Sequence, residues 1–200
     1  PDDVRPEPEY TLDGKYDLTL PEFLPKVSVL DEVVDVDYYV GGCPPHHDFV
    51  AALVDAIVAG KLPEKGSWLT GGKAVCDVCN RNPANTGETR LPIKRVFRMV
   101  DGQPDNGKCL LQQGYICFGP VTQGDCGGSC LKVNVPCRGC GGPLPGVNDY
   151  GARCASAMAS SLADDKATQE MINRFNNMAK LCYRYSMSAG ALNKKVFDKK

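Results

Sequence analysis

Eight of the eleven cysteines lie in one stretch of the chain, between Cys76 and Cys140. They form four closely spaced pairs, which are Cys76-x2-Cys79, Cys109-x7-Cys117, Cys126-x3-Cys130 and Cys137-x2-Cys140. Thiolates at this density are the ligands of iron–sulfur clusters and of structural zinc, and each such centre takes four ligands. The eight residues are therefore enough for two metal centres. Cys43, alone upstream in Gly41-Gly42-Cys43-Pro44-Pro45, indicates a third.

The spacing favours iron–sulfur clusters over zinc and over disulfide bonds. A zinc ribbon built from the first and last pairs would enclose a loop far longer than the ~15–20 residues usual in a ribbon. It would also leave the four cysteines between those pairs without a role. An odd number of cysteines in 200 residues of ordinary apolar content does not suit a secreted disulfide scaffold. A zinc-stabilised interaction module remains the alternative from a different class.

The elements that hold these cysteines are predicted to be loops. Glycine (21) and proline (15) are frequent and concentrate around the cysteines, and from Gly71 to Pro145 no helical or strand periodicity is visible. We expect few apolar residues to remain for a core in this segment, so that its metals organise it. Residues 90–100 are expected to form one short strand or helix.

A strand followed by a helix is predicted ahead of the cysteine array. The apolar run from Val33 to Val40 predicts a buried strand that ends at Gly41-Gly42. Pro44-Pro45 then open a helix with apolar residues at helical spacing, which Gly60 ends. A strand, a turn and a helix are the unit of an α/β sheet. Residues 1–20 are interpreted as an extended surface arm.

The C-terminal part is predicted to be helical. One helix is expected over Asp149–Leu162, and Asp164-Asp165 cap the next. Apolar residues recur along one face of the tail, at Met171, Phe175, Met178, Cys182 and Tyr185. This stripe is interpreted as core or subunit interface. Cys154 and Cys182 are interpreted as packing residues, because a free cysteine on an apolar stripe behaves as a small hydrophobe.

Composition excludes several classes of function. The formal net charge is −1 and no basic stripe is present, so nucleic-acid binding is not expected. The longest apolar stretch, 49–59, is interrupted by Asp55 and falls short of the ~20 residues of a membrane-spanning helix. No Ser/His/Asp set or phosphate-binding loop is evident, so no catalytic residue is predicted. His46 and His47 are interpreted as surface groups of the helix start rather than metal ligands.

Several segments resemble the small, electron-transfer subunit of NiFe hydrogenases. Cys117-Phe-Gly-Pro-Val-Thr-Gln-Gly-Asp-Cys126 resembles the Cys-x-Gly-Pro-x-Thr-x3-Cys signature of that family, and Pro136-Cys137-Arg-Gly-Cys140 resembles its Pro-Cys-x-Gly-Cys motif. Asp35-Val-Asp-Tyr-Tyr-Val-Gly-Gly-Cys43-Pro-Pro looks like the strand and turn that deliver the last proximal-cluster ligand. Tyr183-Arg-Tyr-Ser-Met resembles the family's C-terminus. The resemblances occur in the family's order.

The resemblance implies a ligand set for each of three 4Fe–4S clusters. Cys76, Cys79, Cys109 and Cys117 would hold the distal cluster. Cys126, Cys130, Cys137 and Cys140 would hold the medial cluster. Cys43 would be one ligand of the proximal cluster. The other three proximal ligands, which the family takes from a flavodoxin-like N-terminal domain, have no counterpart before Cys43.

The closest branch of the family looks like the cytoplasmic group 3, which includes viologen-, F420- and heterodisulfide-reductase-linked enzymes and sulfhydrogenases. The respiratory branch has a histidine at the position of Cys76 and a proline at the position of Cys130. The implied partners are a NiFe large catalytic subunit and a flavin or iron–sulfur acceptor subunit. A small subunit of a complex-I-like or membrane-bound hydrogenase is the second hypothesis, although such chains usually lack the downstream eight cysteines.

Two domains are expected on this basis. Residues 1–70 would be the C-terminal part of a flavodoxin-like α/β domain, and residues 71–200 would be an irregular two-cluster iron–sulfur domain with C-terminal helices. Because the proximal ligand set is incomplete and the chain starts at Pro1 rather than Met, we expect it to be the C-terminal portion of a longer subunit.

Overall fold

The computed structural model describes residues 8–24 and 26–194, in which short elements are joined by long loops. The strands are β1 (Glu9–Leu12), β2 (Tyr16–Thr19), β3 (Tyr38–Tyr39) and β4 (Ser67–Trp68). The helices are α1 (His47–Val58), α2 (Pro83–Thr86), α3 (Ser129–Lys132), α4 (Tyr150–Ala159), α5 (Asp165–Arg174), α6 (Met178–Cys182) and α7 (Ala191–Lys194). Single 3₁₀ turns lie at Leu30–Glu32, Val75–Val78, Met99–Asp101 and Gly119–Val121.

The hydrophobic core lies in the segment where we expected few apolar residues, so that prediction was wrong. Thirteen of its buried members fall between residues 75 and 137, among them Val96, Phe118 and Leu131, and helices α4 to α6 add the rest. These apolar residues come from loops without a regular period, which is why periodicity did not reveal them. The predicted strand or helix over 90–100 is likewise absent. Ile93 and Phe97 make only isolated parallel bridges, to Leu162 and Tyr115.

Most of the described residues before residue 70 are exposed to solvent. β1 and β2 form an antiparallel hairpin in place of the predicted arm, with every residue exposed. The buried strand predicted for 33–40 shrinks to β3, and Val33 and Val34 are 66% and 51% exposed. β3 pairs in parallel with β4, and α1 lies between them in the chain, as in a β–α–β unit. That this unit belongs to a flavodoxin-like domain, and that a domain boundary lies near residue 70, stay predictions.

The predicted helix after Cys43 is confirmed, although it begins at His47 rather than at the prolines. The backbone N–H of Asp48 donates to His46 Nδ1, which makes His46 the N-cap. No residue of α1 is buried, and Val50, Val54 and Ile57 are about half exposed. Its apolar face is thus uncovered by the described part of the chain.

The C-terminal helices start where capping residues predict. Asp149 accepts a hydrogen bond from the Ala152 N–H (2.9 Å) and starts α4, and Asp164 does the same from Ala167 (2.8 Å) at α5. The predicted single stripe from 171 to 185 is divided between two helices. α5 ends at Arg174, and Asn177 caps α6 through the Lys180 N–H (2.7 Å).

The packing roles predicted in this region are mostly confirmed. Cys154 and Cys182 are buried, with exposures of 1% and 3%. Met171 is buried as well, whereas Tyr185 is 40% exposed. Within the described residues, no helix has the length and apolar character needed to cross a bilayer.

Candidate metal centres

An antiparallel crossing of two chain segments brings the Cys76-x2-Cys79 turn beside the later cysteines. Ala74 bridges Gln123, and the Val75 N–H donates to Thr122 O at 2.9 Å. Gly124 donates to Lys73 O at 2.7 Å on the other side of the bridge. This crossing places the start of the cysteine array against the loop that runs from Cys117 to Cys126.

Two asparagines hold the Cys76-x2-Cys79 turn in shape. Asn85 Nδ2 donates to the carbonyl oxygens of Cys79 (2.9 Å), Asp77 (3.2 Å) and Cys76 (3.3 Å). Asn82 Nδ2 donates to Cys76 O at 2.7 Å, while its Oδ1 caps α2. These bonds fix the conformation of the turn by engaging its carbonyl oxygens. The sequence analysis did not single out either residue, although Asn82-Pro83 is a recognisable helix start.

The structure brings the four predicted distal ligands together. Burial raises the pKa of Cys76 to about 12, and the nearby sulfurs of Cys109 and Cys79 raise it further. Burial also raises the pKa of Cys117 to about 12, with contributions from Cys76 and Cys109. The thiolate form of each is thus disfavoured by its neighbours, which is the electrostatic situation that a cationic metal centre relieves.

Gly119 lies beside two of these sulfurs, those of Cys76 and Cys117. A Cβ atom built on Gly119 would lie 3.2 Å from Cys76 Sγ and 3.6 Å from Cys117 Sγ. The Gly119 backbone N–H also lowers the pKa of Cys117 against the effect of burial. A side chain at this position would occupy the space that faces both sulfurs.

Three of the predicted medial ligands form a second group. Burial raises the pKa of Cys140, and the sulfurs of Cys126 and Cys130 raise it further. Cys130 lies in α3 and is exposed, and the chain reaches it from Cys126 through Gly127 and Gly128, whose φ angles are +62° and +69°. Glycine is the residue that adopts this left-handed backbone without strain.

Cys137 lies between the two groups. Burial raises its pKa to about 12, and both Cys117 and Cys140 raise it further. Its backbone N–H donates to Cys117 Sγ at 3.3 Å, and the Phe118 N–H donates to Cys137 O at 3.0 Å. Because Cys137 has neighbours in both groups, its assignment to the medial set stays a prediction.

A buried pair of hydroxyl groups stabilises the region around Cys137, where the two cysteine groups meet. Thr122 Oγ1 lies 2.6 Å from Phe118 O and 2.6 Å from Tyr150 Oη. The Tyr150 hydroxyl also donates to Gly139 O at 3.0 Å. The pair therefore connects the loop after Cys117 with the loop between Cys137 and Cys140.

Arg81 is a third residue that the sequence analysis missed. Its guanidinium forms a two-point ion pair with Asp105 (2.7 and 2.8 Å), donates to Lys108 O (3.3 Å) and contacts Asn134 Oδ1. Its backbone N–H donates to Cys79 Sγ at 3.4 Å. One side chain thus connects the loops that lead to Cys79, Cys109 and Cys130.

The glycines around the cysteines divide into two kinds. The N–H groups of Gly119 and Gly139 lower the pKa values of Cys117 and Cys137 against the larger effect of burial. Gly124 and Gly127 instead donate to the carbonyl oxygens of Lys73 (2.7 Å) and Gly124 (2.9 Å). For Gly128 and Gly141 no contact with sulfur is described.

Cys43 is exposed and lies next to the second group. Its backbone N–H lowers the pKa of the Cys140 thiol, and both cysteines line one surface cavity with Trp68. Trp68 stacks on Tyr39 with ring centroids 5.1 Å apart. His46 and His47 meet Asp48 at the start of α1, at 3.3 and 3.0 Å. Their ring nitrogens and the Asp48 carboxylate offer ligand atoms that all lie within 4.8 Å of one another, so the interpretation of these histidines as surface groups rather than metal ligands stays a prediction.

The donor set suits iron–sulfur clusters. The eight thiols of the array are free, they fall into neighbouring groups, and backbone N–H groups point at Cys79, Cys117 and Cys137. Amide donors at thiolate sulfur are characteristic of such sites, since they stabilise the anionic centre. Cys79, Cys117 and Cys137 are buried, whereas the other cysteines of the array are partly or, at Cys130, fully exposed.

Comparison with known proteins identifies the family. The chain is 56% identical over 197 residues to the iron–sulfur subunit of the F420-non-reducing hydrogenase of Archaeoglobus profundus, and the match covers 98% of this chain and 61% of that protein. It is 35% identical over 184 residues to a subunit of the F420-non-reducing hydrogenase of Methanothermobacter thermautotrophicus, and this match covers 88% of this chain and 56% of that one. No family model matches the chain.

A shorter relative is covered almost completely. It is a subunit of the F420-non-reducing hydrogenase of Methanothermus fervidus and is 34% identical over 122 residues, which are 94% of that protein and 59% of this chain. The chain belongs to this family of hydrogenase iron–sulfur subunits. It spans about three fifths of the length of the first two relatives.

Proposed function

We propose that this chain is an electron-relay part of a NiFe hydrogenase and that it holds two 4Fe–4S clusters. The observation that carries the proposal is the meeting of two cysteine groups at Cys117 and Cys137, in a chain of this family. Each bound cluster would supply a one-electron carrier. Cys76, Cys79, Cys109 and Cys117 would hold the distal cluster, and Cys126, Cys130, Cys137 and Cys140 the medial cluster.

The residues around the sulfurs perform three tasks. Gly119, Gly139 and Arg81 present backbone N–H groups to sulfur, which stabilises the more negative, reduced state. The apolar core excludes water from Cys79, Cys117 and Cys137. The reciprocal bonds between residues 117–118 and Cys137 keep the two ligand sets in contact, which favours electron transfer between them.

The remaining parts of the proposal come from the family resemblance. Cys43 would be one ligand of a proximal cluster. Cys76 and Cys130, at positions where the respiratory branch has histidine and proline, favour membership of the group-3 enzymes, which are cytoplasmic. Its partners would be a NiFe large subunit and a flavin or iron–sulfur acceptor, and catalysis would take place on the large subunit.

Metal analysis tests the proposal. We expect the anaerobically purified chain to contain about eight irons and a similar amount of acid-labile sulfide, with a broad visible band. A double variant, Cys126→Ser with Cys137→Ser, is expected to retain about half of the iron. Colourless protein that contains zinc and no sulfide would overturn the hydrogenase proposal in favour of a zinc-stabilised module.

A further inference from the structure

A buried chain of hydrogen bonds runs from the turn before Cys43 to the loop after Cys140. The Gly41 N–H donates to Thr70 Oγ1 (2.9 Å), and the Thr70 hydroxyl donates to Gln123 Oε1 (2.7 Å). Gln123 Nε2 then donates to Pro143 O (2.6 Å). Thr70 and Gln123 are 7% and 2% exposed. Each group in the chain has a partner, and loss of any link would leave buried polar atoms without one.

The two ends of this chain bring two cysteines of different predicted clusters together. A Cβ atom on Gly41 would lie 2.4 Å from Gln123 Oε1 and 2.5 Å from Gly141 O, so the two backbones are in direct contact. Cys43 follows Gly41 by two residues, and Cys140 precedes Gly141 by one. Cys43 and Cys140 line the same cavity, so the turn that carries Cys43 lies beside the loop that carries Cys140.

We propose that Thr70 and Gln123 are a positioning pair that holds the Cys43 amide against the Cys140 sulfur and so sets the reduction potential of the cluster bound by the medial ligands. This inference rests on the proposed function, since it assigns Cys140 to a cluster. The pair itself contacts no predicted ligand side chain. It acts through the backbone of Gly41–Cys43 on one side and of Gly141–Pro143 on the other.

The sign of the effect follows from electrostatics. An N–H dipole directed at a cluster sulfur stabilises the reduced state, which has one more negative charge, and therefore raises the potential. Removal of the Thr70 hydroxyl leaves the Gly41 N–H and Gln123 Oε1 without their partner. The turn that carries Cys43 then moves away from Cys140, and the medial potential falls. The distal potential should stay constant, because the amide donors to Cys79 and Cys117 come from Arg81 and Cys137, which lie outside the hydrogen-bond chain of Thr70 and Gln123.

The experiment compares four variants of the cluster-loaded chain. Thr70→Val removes the hydroxyl at nearly constant shape, Thr70→Ser retains it, and Gln123→Asn has the same amide on a shorter side chain. Thr168→Val is the matched control, because Thr168 Oγ1 bonds only to Asp164 O on the exposed side of α5. Amide exchange of the Gly41–Cys43 peptide is measured by mass spectrometry. The potentials of both clusters are measured by titration followed by electron paramagnetic resonance (EPR).

We expect Thr70→Val and Gln123→Asn to accelerate exchange of the Gly41 peptide about fivefold, the effect of one lost hydrogen bond. The medial potential should shift to a lower value in both, with the distal potential constant. Thr70→Ser and Thr168→Val should match wild type. Unchanged exchange in Thr70→Val, or a medial potential that does not move, would overturn the positioning role. A wild-type chain without iron and sulfide would defeat the proposed function instead, and the exchange data would still decide whether the pair holds the Cys43 turn.

Discussion

The backbone N–H of Cys137 donates a hydrogen bond to the sulfur of Cys117, at 3.3 Å. The two residues belong to different predicted ligand sets, and the return bond from Phe118 to Cys137 O closes a small ring between them. The two predicted metal centres would therefore be in direct contact rather than in separate modules.

Gly119→Ala tests whether the space between Cys76 and Cys117 receives a cluster. The added Cβ would lie 3.2 Å from one sulfur and 3.6 Å from the other, in the space that a distal cluster would fill. We expect the variant to retain about half of the wild-type iron and sulfide, because the medial ligands remain. Gly72→Ala is the matched control, since its Cβ would meet no atom within 4 Å. Equal iron in both variants would show that the space beside Gly119 does not receive a cluster.

Asn85→Asp tests the turn that holds Cys76 and Cys79. The substitution keeps the size of the side chain but removes the amide donor to three carbonyls and places a carboxylate next to them. Because Asn85 is exposed, loss of these bonds costs about 0.5–1.5 kcal/mol. We therefore expect severalfold faster bleaching of the visible band by a chelator. Asn80→Asp, on an exposed neighbour in the same loop, serves as the control. Identical bleaching rates would argue against a supporting role for Asn85.

The cysteine spacing predicted which cysteines lie close together in pairs, but the division into two ligand sets came from the family resemblance and stays a prediction. Short spacings limit how far Cys76 can lie from Cys79, or Cys137 from Cys140, whatever the loop conformation. Arg81 and Asn85 act through side chains that reach across loops to carbonyls distant in sequence, as in the contact of Arg81 with Lys108 O. No local pattern encodes such contacts. The core was missed for the same reason, since residues such as Val96 and Phe118 lie in irregular segments.

Helix starts were predictable because a cap is a local interaction. Asp149 and Asp164 cap the following helices within three residues, as the sequence indicated. The division of the stripe between α5 and α6 was not predictable from apolar spacing, since three- and four-residue steps continue through the break. The cap at Asn177 marks the second start. The α/β assignment of the first seventy residues stays a prediction.

Cys130→Ala separates a ligand from a packing cysteine. Cys130 is exposed, so its removal leaves the core intact while the medial cluster loses its predicted fourth ligand. We expect unchanged thermal stability of the metal-free fold and a three-iron EPR signal after mild oxidation. Cys182→Ala is the complementary variant. It should keep the full iron content and lose about 1 kcal/mol of stability, because a buried sulfur is deleted. A four-iron signal in Cys130→Ala would remove Cys130 from the ligand set.

The surroundings of Asp149 predict how its contribution to the stability of the fold depends on pH. Burial alone would raise its pKa, but the N–H groups of Ala152 and Ala191 and the Tyr183 hydroxyl hold the pKa below its ordinary value. A carboxylate whose pKa is lowered in the folded state stabilises the fold in full at any pH above its unfolded-state pKa of about 4. This stabilisation is lost only as the pH falls below about 4.

Asp149→Ala should therefore cost a constant amount of unfolding free energy, about 1 kcal/mol, between pH 8 and pH 5. The measurement is urea unfolding followed by circular dichroism across that range. Asp55→Ala, on the exposed surface of α1, is the control and should cost less. A cost that declines steadily from pH 8 to pH 5 would contradict the lowered pKa.

The crossing of residues 73–75 with residues 122–124 has a consequence for biosynthesis. Cys76 and Cys79 leave the ribosome well before the segment against which they pack, because synthesis runs from the N-terminus. Until residues 122–124 have been synthesised, the thiols of Cys76 and Cys79 have no segment to pack against and no neighbouring sulfurs from the later cysteines. Under the proposed function, the array would be complete only after the segment up to Cys140 has been synthesised. A maturation factor that delivers preformed clusters would have to act after translation of this region is complete.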